Sequence, residues 1–161
     1  MLATAIHAGL KATQLKDLDL AYAPPYSSAK DPVNMAGFMI DNIAKGVLRQ
    51  WHLEDDEKLP RDGGVTLLDT RTPGEYSLGH GEGFFNIPVD ELRERISEIN
   101  PGKPVYVMCQ SGLRSYIASR ILAGKGFEVY NFSGGFRYYD AVRNDRCLIQ
   151  RASACGMDQP E

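Results

Sequence analysis

Between residues 65 and 132 the chain alternates short apolar runs with amphipathic ones. "VTLLDT" (65–70), "PVYVMC" (104–109) and "FEVYNF" (127–132) read as strands. "DELRERISEI" (90–99) puts Leu92, Ile96 and Ile99 on one face of a predicted helix, and "RSYIASRILAGKG" (114–126) and "GFRYYDAVRN" (135–144) predict two more. Strands alternating with helices imply an α/β fold with an open, mostly parallel sheet covered on both faces. Ligands of such sheets sit beyond the carboxyl ends of the strands, which is where Cys109 falls.

The first part of the chain follows a different pattern. "LATAIHAGL" predicts a short helix ending at Gly9, and "LKDLDLAYAPPYSSAK" an extended piece followed by a loop. A second helix starts at Asp31 as N-cap with Pro32 in its first turn and stops at Gly46. Two helices and one strand make a poor core, so residues 1–46 are expected to pack on the following domain, a second copy or a body absent from this chain, with 47–150 as the α/β domain. Residues 151–161, "RASACGMDQPE", show no periodicity and are expected to form a loose tail.

A length of 161 residues with 43% apolar content suits one ordinary domain with a small appendage. The net charge of −3 and the lack of a Lys/Arg cluster argue against nucleic-acid partners and favour small molecules or protein. No run is long enough to span a membrane and the N-terminus lacks a signal-peptide pattern, so a cytoplasmic location without membrane contact is expected. Cys109, Cys147 and Cys155 show no CxxC pairing, and His7, His52 and His80 lie far apart, so neither a disulfide framework nor a metal site is expected.

The stretch "VYVMCQSGLRSYIASRIL" (105–122) carries the chemistry. Between Cys109 and Ser115 the backbone must curl from strand into helix within a few residues, leaving amides of Gln110, Ser111, Gly112, Leu113 and Ser115 to point inward. Together with the positive end of the following helix they make an anion site, with Gly112 supplying the tight curl and Arg114 a fixed positive charge. That environment favours Cys109 as a thiolate, the nucleophilic form of cysteine.

The motif "CQSGLRS" resembles the active-site loop of rhodanese-type sulfurtransferases. "LLDTRTPGEYSLGHGEGFFNIPVDEL" (67–92) and "FSGGFRYY" (132–139) resemble further segments of that family in the same order, over about residues 50–145. The resemblance implies a rhodanese-like three-layer sandwich and a Cys109 that carries sulfur as a persulfide. "HGEGFF" departs from the family pattern, which more often has an aliphatic residue after His80 and Ala after Gly83. "LATAIHAGL" with "DLDLAYAPPYSSAKDPVNMAGF" resembles the end of the dimerisation domain of flavin-dependent CoA-disulfide and persulfide reductases, some of which carry a C-terminal rhodanese domain. It implies a remnant of that domain, contact with a flavin reductase body or a second copy, and Tyr22 and Tyr26 as tyrosines that reach a partner's site. FAD, NADH and CoA are implied only for a full-length reductase. With no GxGxxG after a strand and no paired redox cysteine, no cofactor is expected in this chain.

The expected reaction moves a sulfane sulfur from thiosulfate or a low-molecular-weight persulfide, through Cys109, to a thiophilic acceptor such as cyanide or a thiol. Arg114 is expected to bind an anionic donor, and Asp69 either to orient the loop or Arg114 or to be a surface turn carboxylate. Arg71 and Glu75 are expected to pair with each other on a short helix, and His80 to cap or pack. Tyr138 and Tyr139 are expected to pack, with the loop "SGGFR" (133–137) a candidate lining of the pocket mouth and Cys155 a candidate to accept sulfur or pair with Cys147. Two rivals stand beside this reading. One is a cysteine phosphatase, which places five residues between Cys and Arg where this chain has the four from Gln110 to Leu113. The other is a non-catalytic regulatory module.

Overall fold

A computed structural model describes residues 1–21, 25 and 30–154, with side chains described to residue 146. The chain divides into two compact units, Met1–Arg49 and Gln50 onward. The first unit extends past residue 46 because the amides of Val47 and Leu48 turn back onto the Asn42 carbonyl.

In the first unit, α1 (Leu2–His7) is closed by Gly9, whose φ of 68° is the left-handed conformation of a helix end. A 3-10 helix follows over Ala12–Asp17, then α2 over Pro32–Ala44. The extended piece expected from Leu15 onward is therefore replaced by helix as far as Asp17. It forms because Gln14 and Lys11 close a turn onto each other, and chain direction turns extended only at Leu18. Asp31 caps α2 by accepting the Val33 N–H. Asn34 and Gly37 then fix α2 on the 3-10 helix: Asn34 Nδ2 donates to the carbonyls of Leu15 and Leu18, and a Cβ at Gly37 would lie 2.2 Å from the Lys16 amide nitrogen. Tyr22 and Tyr26 fall outside the described residues.

The second unit is an α/β fold around a five-stranded, all-parallel sheet in the order β1-β5-β4-β2-β3. Its strands are β1 (Gln50–Trp51), β2 (Thr66–Asp69), β3 (Phe85–Asn86), β4 (Val105–Met108) and β5 (Val129–Phe132). The helices are α3 (Leu53–Asp56), α4 (Pro73–Ser77), α5 (Leu113–Gly124) and α6 (Gly135–Ala154). Neighbouring residues on each strand feed opposite cores, as the pleat requires. Leu68, Val105, Val107 and Val129 pack with Ala118 and Leu122 of α5, while Leu67, Met108 and Phe132 pack with Trp51 and Tyr139 of α6. Each such side chain, once buried, contributes about 1.5–3 kcal/mol of hydrophobic stabilisation. The result is a sandwich whose three layers bring the carboxyl ends of β2, β4 and β5 to one rim.

Two expectations fail here. Residues 90–99 do not form an α-helix: 89–94 are turns and only Ile96–Glu98 is regular, as a 3-10 helix. Leu92 and Ile99 are buried as the periodicity predicts, but short bonds such as Leu92 N–H to Val89 and Ile99 N–H to Ile96 achieve this without a helix. The last helix runs from Gly135 through Ala154 instead of stopping at 144, so 151–154 are helical and no loose tail begins at 151. Residue 155 and those after it lie outside the described residues, and Cys155 with them; for Cys147 only the helical backbone is described.

Candidate functional site

Strand β4, buried except at the half-buried Tyr106, ends at Met108, and the chain then bends over four residues before α5 opens at Leu113. Gly112 makes the bend possible: its φ of 109° is open to glycine alone at low cost. No side chain caps α5 at this end, so its first-turn amides keep their positive end directed at the bend.

Cys109 sits at the floor of the bend with 1% of its surface exposed. The Gly112 N–H donates to its Sγ at 3.1 Å. Ser115 Oγ lies 3.2 Å from the same sulfur and 3.1 Å from the Gly112 carbonyl, with one proton to give. An anionic sulfur would be the stronger acceptor of the two and would take it. Ser115 is itself held in the core, its carbonyl accepting from Ser119 Oγ.

The outer side of the bend is fastened to α6. The Phe136 and Arg137 amides donate to the carbonyls of Cys109 and Gln110, at 2.7 and 3.3 Å. Since the peptides are trans, the N–H groups of Gln110 and Ser111 are directed away from α6. Gly135 permits this close approach: a Cβ there would lie 2.5 Å from the Gln110 carbonyl oxygen.

Asp69 does not reach Arg114. It is fully buried at the end of β2 and holds Arg71, whose Nε and Nη2 donate to its carboxylate at 2.7–3.1 Å. Arg71 also donates from Nη2 to the Gly79 carbonyl and from Nη1 to Gln110 Oε1, and its guanidinium lies 3.9 Å from the centre of the Phe136 ring. Asp69 thus acts on the bend through Arg71 and the Gln110 side chain.

The expected Arg71–Glu75 pair is absent, because each residue has a better partner. Glu75 faces Arg114 fork to fork, with Nη1 to Oε2 at 2.6 Å and Nη2 to Oε1 at 2.7 Å. The Arg114 guanidinium, helped by the Thr72 amide and hydroxyl, holds the Glu75 carboxyl down at about 2. Arg114 is raised in turn, first by Glu75. Ser111 and Leu113 stand exposed at the mouth of the bend. His80 stacks on Tyr76, ring centroids 4.0 Å apart, with Nδ1 3.1 Å from the Tyr76 carbonyl oxygen. Tyr139 is buried, and Tyr138 is about half exposed, 49%.

The arrangement therefore joins Cys109, Gly112, Ser115 and, through Arg71, Gln110 and Asp69. Arg71 and Glu75 enter it without having been singled out for it from sequence, and Gly135 and Phe136 come from the loop "SGGFR" expected at the pocket mouth. The adjacent glycines of "SGGF" were the available signal for Gly135. Among the described residues no cluster of three His, Cys, Asp or Glu side chains could hold a metal, and no helix is long and apolar enough to cross a membrane.

A family model described as "Rhodanese-like domain" matches residues 53–141. The chain is 39% identical over 106 residues to the uncharacterized protein YqhL of Bacillus subtilis, covering 63% of this chain and 84% of that one. It is 35% identical over 83 residues to the thiosulfate sulfurtransferase GlpE of Ectopseudomonas mendocina, covering 51% and 76%. Among solved structures, reduced Bacillus anthracis CoADR-RHD superposes with a TM-score of 0.84 at 46% identity, over 90% of this chain and 26% of that one. A NAD-dependent persulfide reductase from A. fulgidus superposes with a TM-score of 0.69 at 41% identity, over 83% and 24%. The chain thus spans about a quarter of the length of these two proteins.

Proposed function

Because the chain belongs to the rhodanese-like domain family, we propose that it is a sulfurtransferase in which Cys109 carries the sulfur as a persulfide. The observation that carries this reading is the Cys109 sulfur lying under the Gly112 amide and the Ser115 hydroxyl, at the uncapped positive end of α5. The thiosulfate sulfurtransferase among the similar proteins supports it.

In the first half-reaction the Cys109 thiolate attacks the outer sulfur of thiosulfate or of a low-molecular-weight persulfide. The donor's sulfur–sulfur bond breaks, and its electron pair leaves with sulfite or with a thiolate. In the second, cyanide or a thiolate attacks the outer sulfur of the Cys109 persulfide, and Sγ regains the electron pair. No proton has to be removed from the nucleophile, so no general base is needed. The donors at the bend hold negative charge on both sulfurs in turn, and removal of one such donor typically costs about 10²–10³ in rate. Gln110, Ser111 and Leu113 shape the entrance, while Asp69 and Arg71 position the bend. The likeness to reductases four times as long supports a setting in which this chain exchanges sulfur with a reductase body.

Mass spectrometry after incubation with thiosulfate or glutathione persulfide tests the reading. A gain of about 32 Da located at Cys109 and removed by cyanide is expected. A Cys109→Ala protein that still produced thiocyanate at the wild-type rate would defeat it.

A further inference from the structure

The guanidinium groups of Arg71 and Arg114 each already face a carboxylate. Arg71 is spent on Asp69, Gly79 and Gln110. Arg114 lies fork to fork on Glu75, at 2.6 and 2.7 Å. Nor can Glu75 simply swing aside: Oε2, which accepts from Arg114, also accepts from the Thr72 amide at 2.9 Å and the Thr72 hydroxyl at 2.8 Å. These bonds form the reciprocal cap of α4, so moving the carboxylate away from Arg114 would also unfasten a helix. Arg71 and Arg114 against Asp69 and Glu75 leave these four side chains with no net positive charge before the thiolate is counted.

That balance bears on the donor. Thiosulfate is a dianion whose charge is spread over the sulfur to be transferred and the sulfonate oxygens two bonds from it. At Arg114 it also meets the Glu75 carboxylate, which holds two of the five guanidinium N–H groups and offsets their charge. An organic persulfide brings at most one charge to the reacting end, held on the sulfur itself, where the amides of the bend serve it. Its remaining bulk can stay in solvent. Building on the sulfur-transfer reading, we infer that Glu75 is a specificity-determining residue, which neutralises Arg114 and so disfavours dianionic donors relative to organic persulfides.

The inference predicts a change of preference on Glu75→Gln. Glutamine can still close the helix cap but carries no charge. Single-turnover loading of Cys109, followed by mass, should speed up about tenfold in kcat/KM for thiosulfate, with a gain that shrinks at high salt. For glutathione persulfide the change should stay within about twofold. Thr72→Val weakens the cap but keeps the carboxylate, and it should leave the ratio between the two donors as in wild type. Equal changes for both donors on Glu75→Gln, no gain with thiosulfate, or the same shift of ratio in Thr72→Val would each overturn the role of Glu75 while leaving sulfur transfer intact. A wild-type protein that loads from neither donor overturns the sulfur-transfer reading itself, and the inference with it.

Discussion

Arg71 and Asp69 form an ion pair almost wholly removed from water, with side-chain exposures of 2% and 0% and an Nη2 to Oδ2 distance of 2.7 Å. Asp69 also accepts the Arg71 amide, so two residues apart in sequence they close a ring at the end of β2. Asn86 Nδ2 locks that ring from β3 by donating to the carbonyls of both residues. Removing one partner leaves the other charged and buried without compensation. Asp69→Ala is expected to destabilise the protein by about 3–5 kcal/mol in urea unfolding. Arg71→Lys, lacking the planar fork, should recover only part of the loss caused by Arg71→Ala.

Gly135→Ala tests the contact between α6 and the bend. Its φ is 70°, and its Cβ would meet the backbone of Gln110 and Ser111 at 2.5–2.6 Å. Neither backbone can yield without moving Cys109. A stability loss of about 1–3 kcal/mol should be accompanied by a fall of at least about tenfold in the rate of sulfur loading. Gly124→Ala, in open space within α5, should cost nothing in either measurement.

Ser115→Ala removes the hydroxyl that lies on the Cys109 sulfur. A hydrogen bond to a charged group contributes about 1.5–3 kcal/mol, so alkylation of Cys109 by iodoacetamide at neutral pH should slow by about tenfold or more. Ser119→Ala, which loses a bond to the Ser115 carbonyl but none to sulfur, should alter that rate much less.

The Glu75–Arg114 pair carries a signature in acid. The Glu75 carboxyl stands at about 2 in the folded protein against 4.5 ordinarily, so its contribution is fully present above pH 4.5 and fades as pH falls toward 2. With about a third of both side chains exposed, solvent screening limits the contribution to about 1 kcal/mol. The stability gap between wild type and Glu75→Gln, measured by urea unfolding across pH, should therefore close between pH 4.5 and 2.

What the sequence disclosed depended on how each segment bonds. β2, β4 and β5 are four-residue strands embedded in apolar runs, and α5 follows a glycine that must bend the chain, so each leaves a local mark. β1 and β3 are two residues long and leave no periodicity to read; their places in the sheet are set by β5 and β2. In 90–99 the apolar spacing marked which side chains go inside but not which carbonyl each amide would find. At the site, Cys109, Gly112 and Ser115 could be read because their chemistry is local to one bend. The exchange of partners among Asp69, Arg71, Glu75 and Arg114 could not. It is decided by which side chains meet across nearly forty residues of chain, as between Glu75 and Arg114.

Trp51 is the single tryptophan of the chain, 2% exposed and packed on Phe132 at 4.4 Å. Its carbonyl accepts the amide of Ser133, the residue that opens the two glycines under the bend. The molecule thus carries its own fluorophore beside the scaffold of the thiol proposed to carry sulfur. Arrival and departure of a sulfur atom can be sought in the ultraviolet emission of the unlabelled protein, in real time.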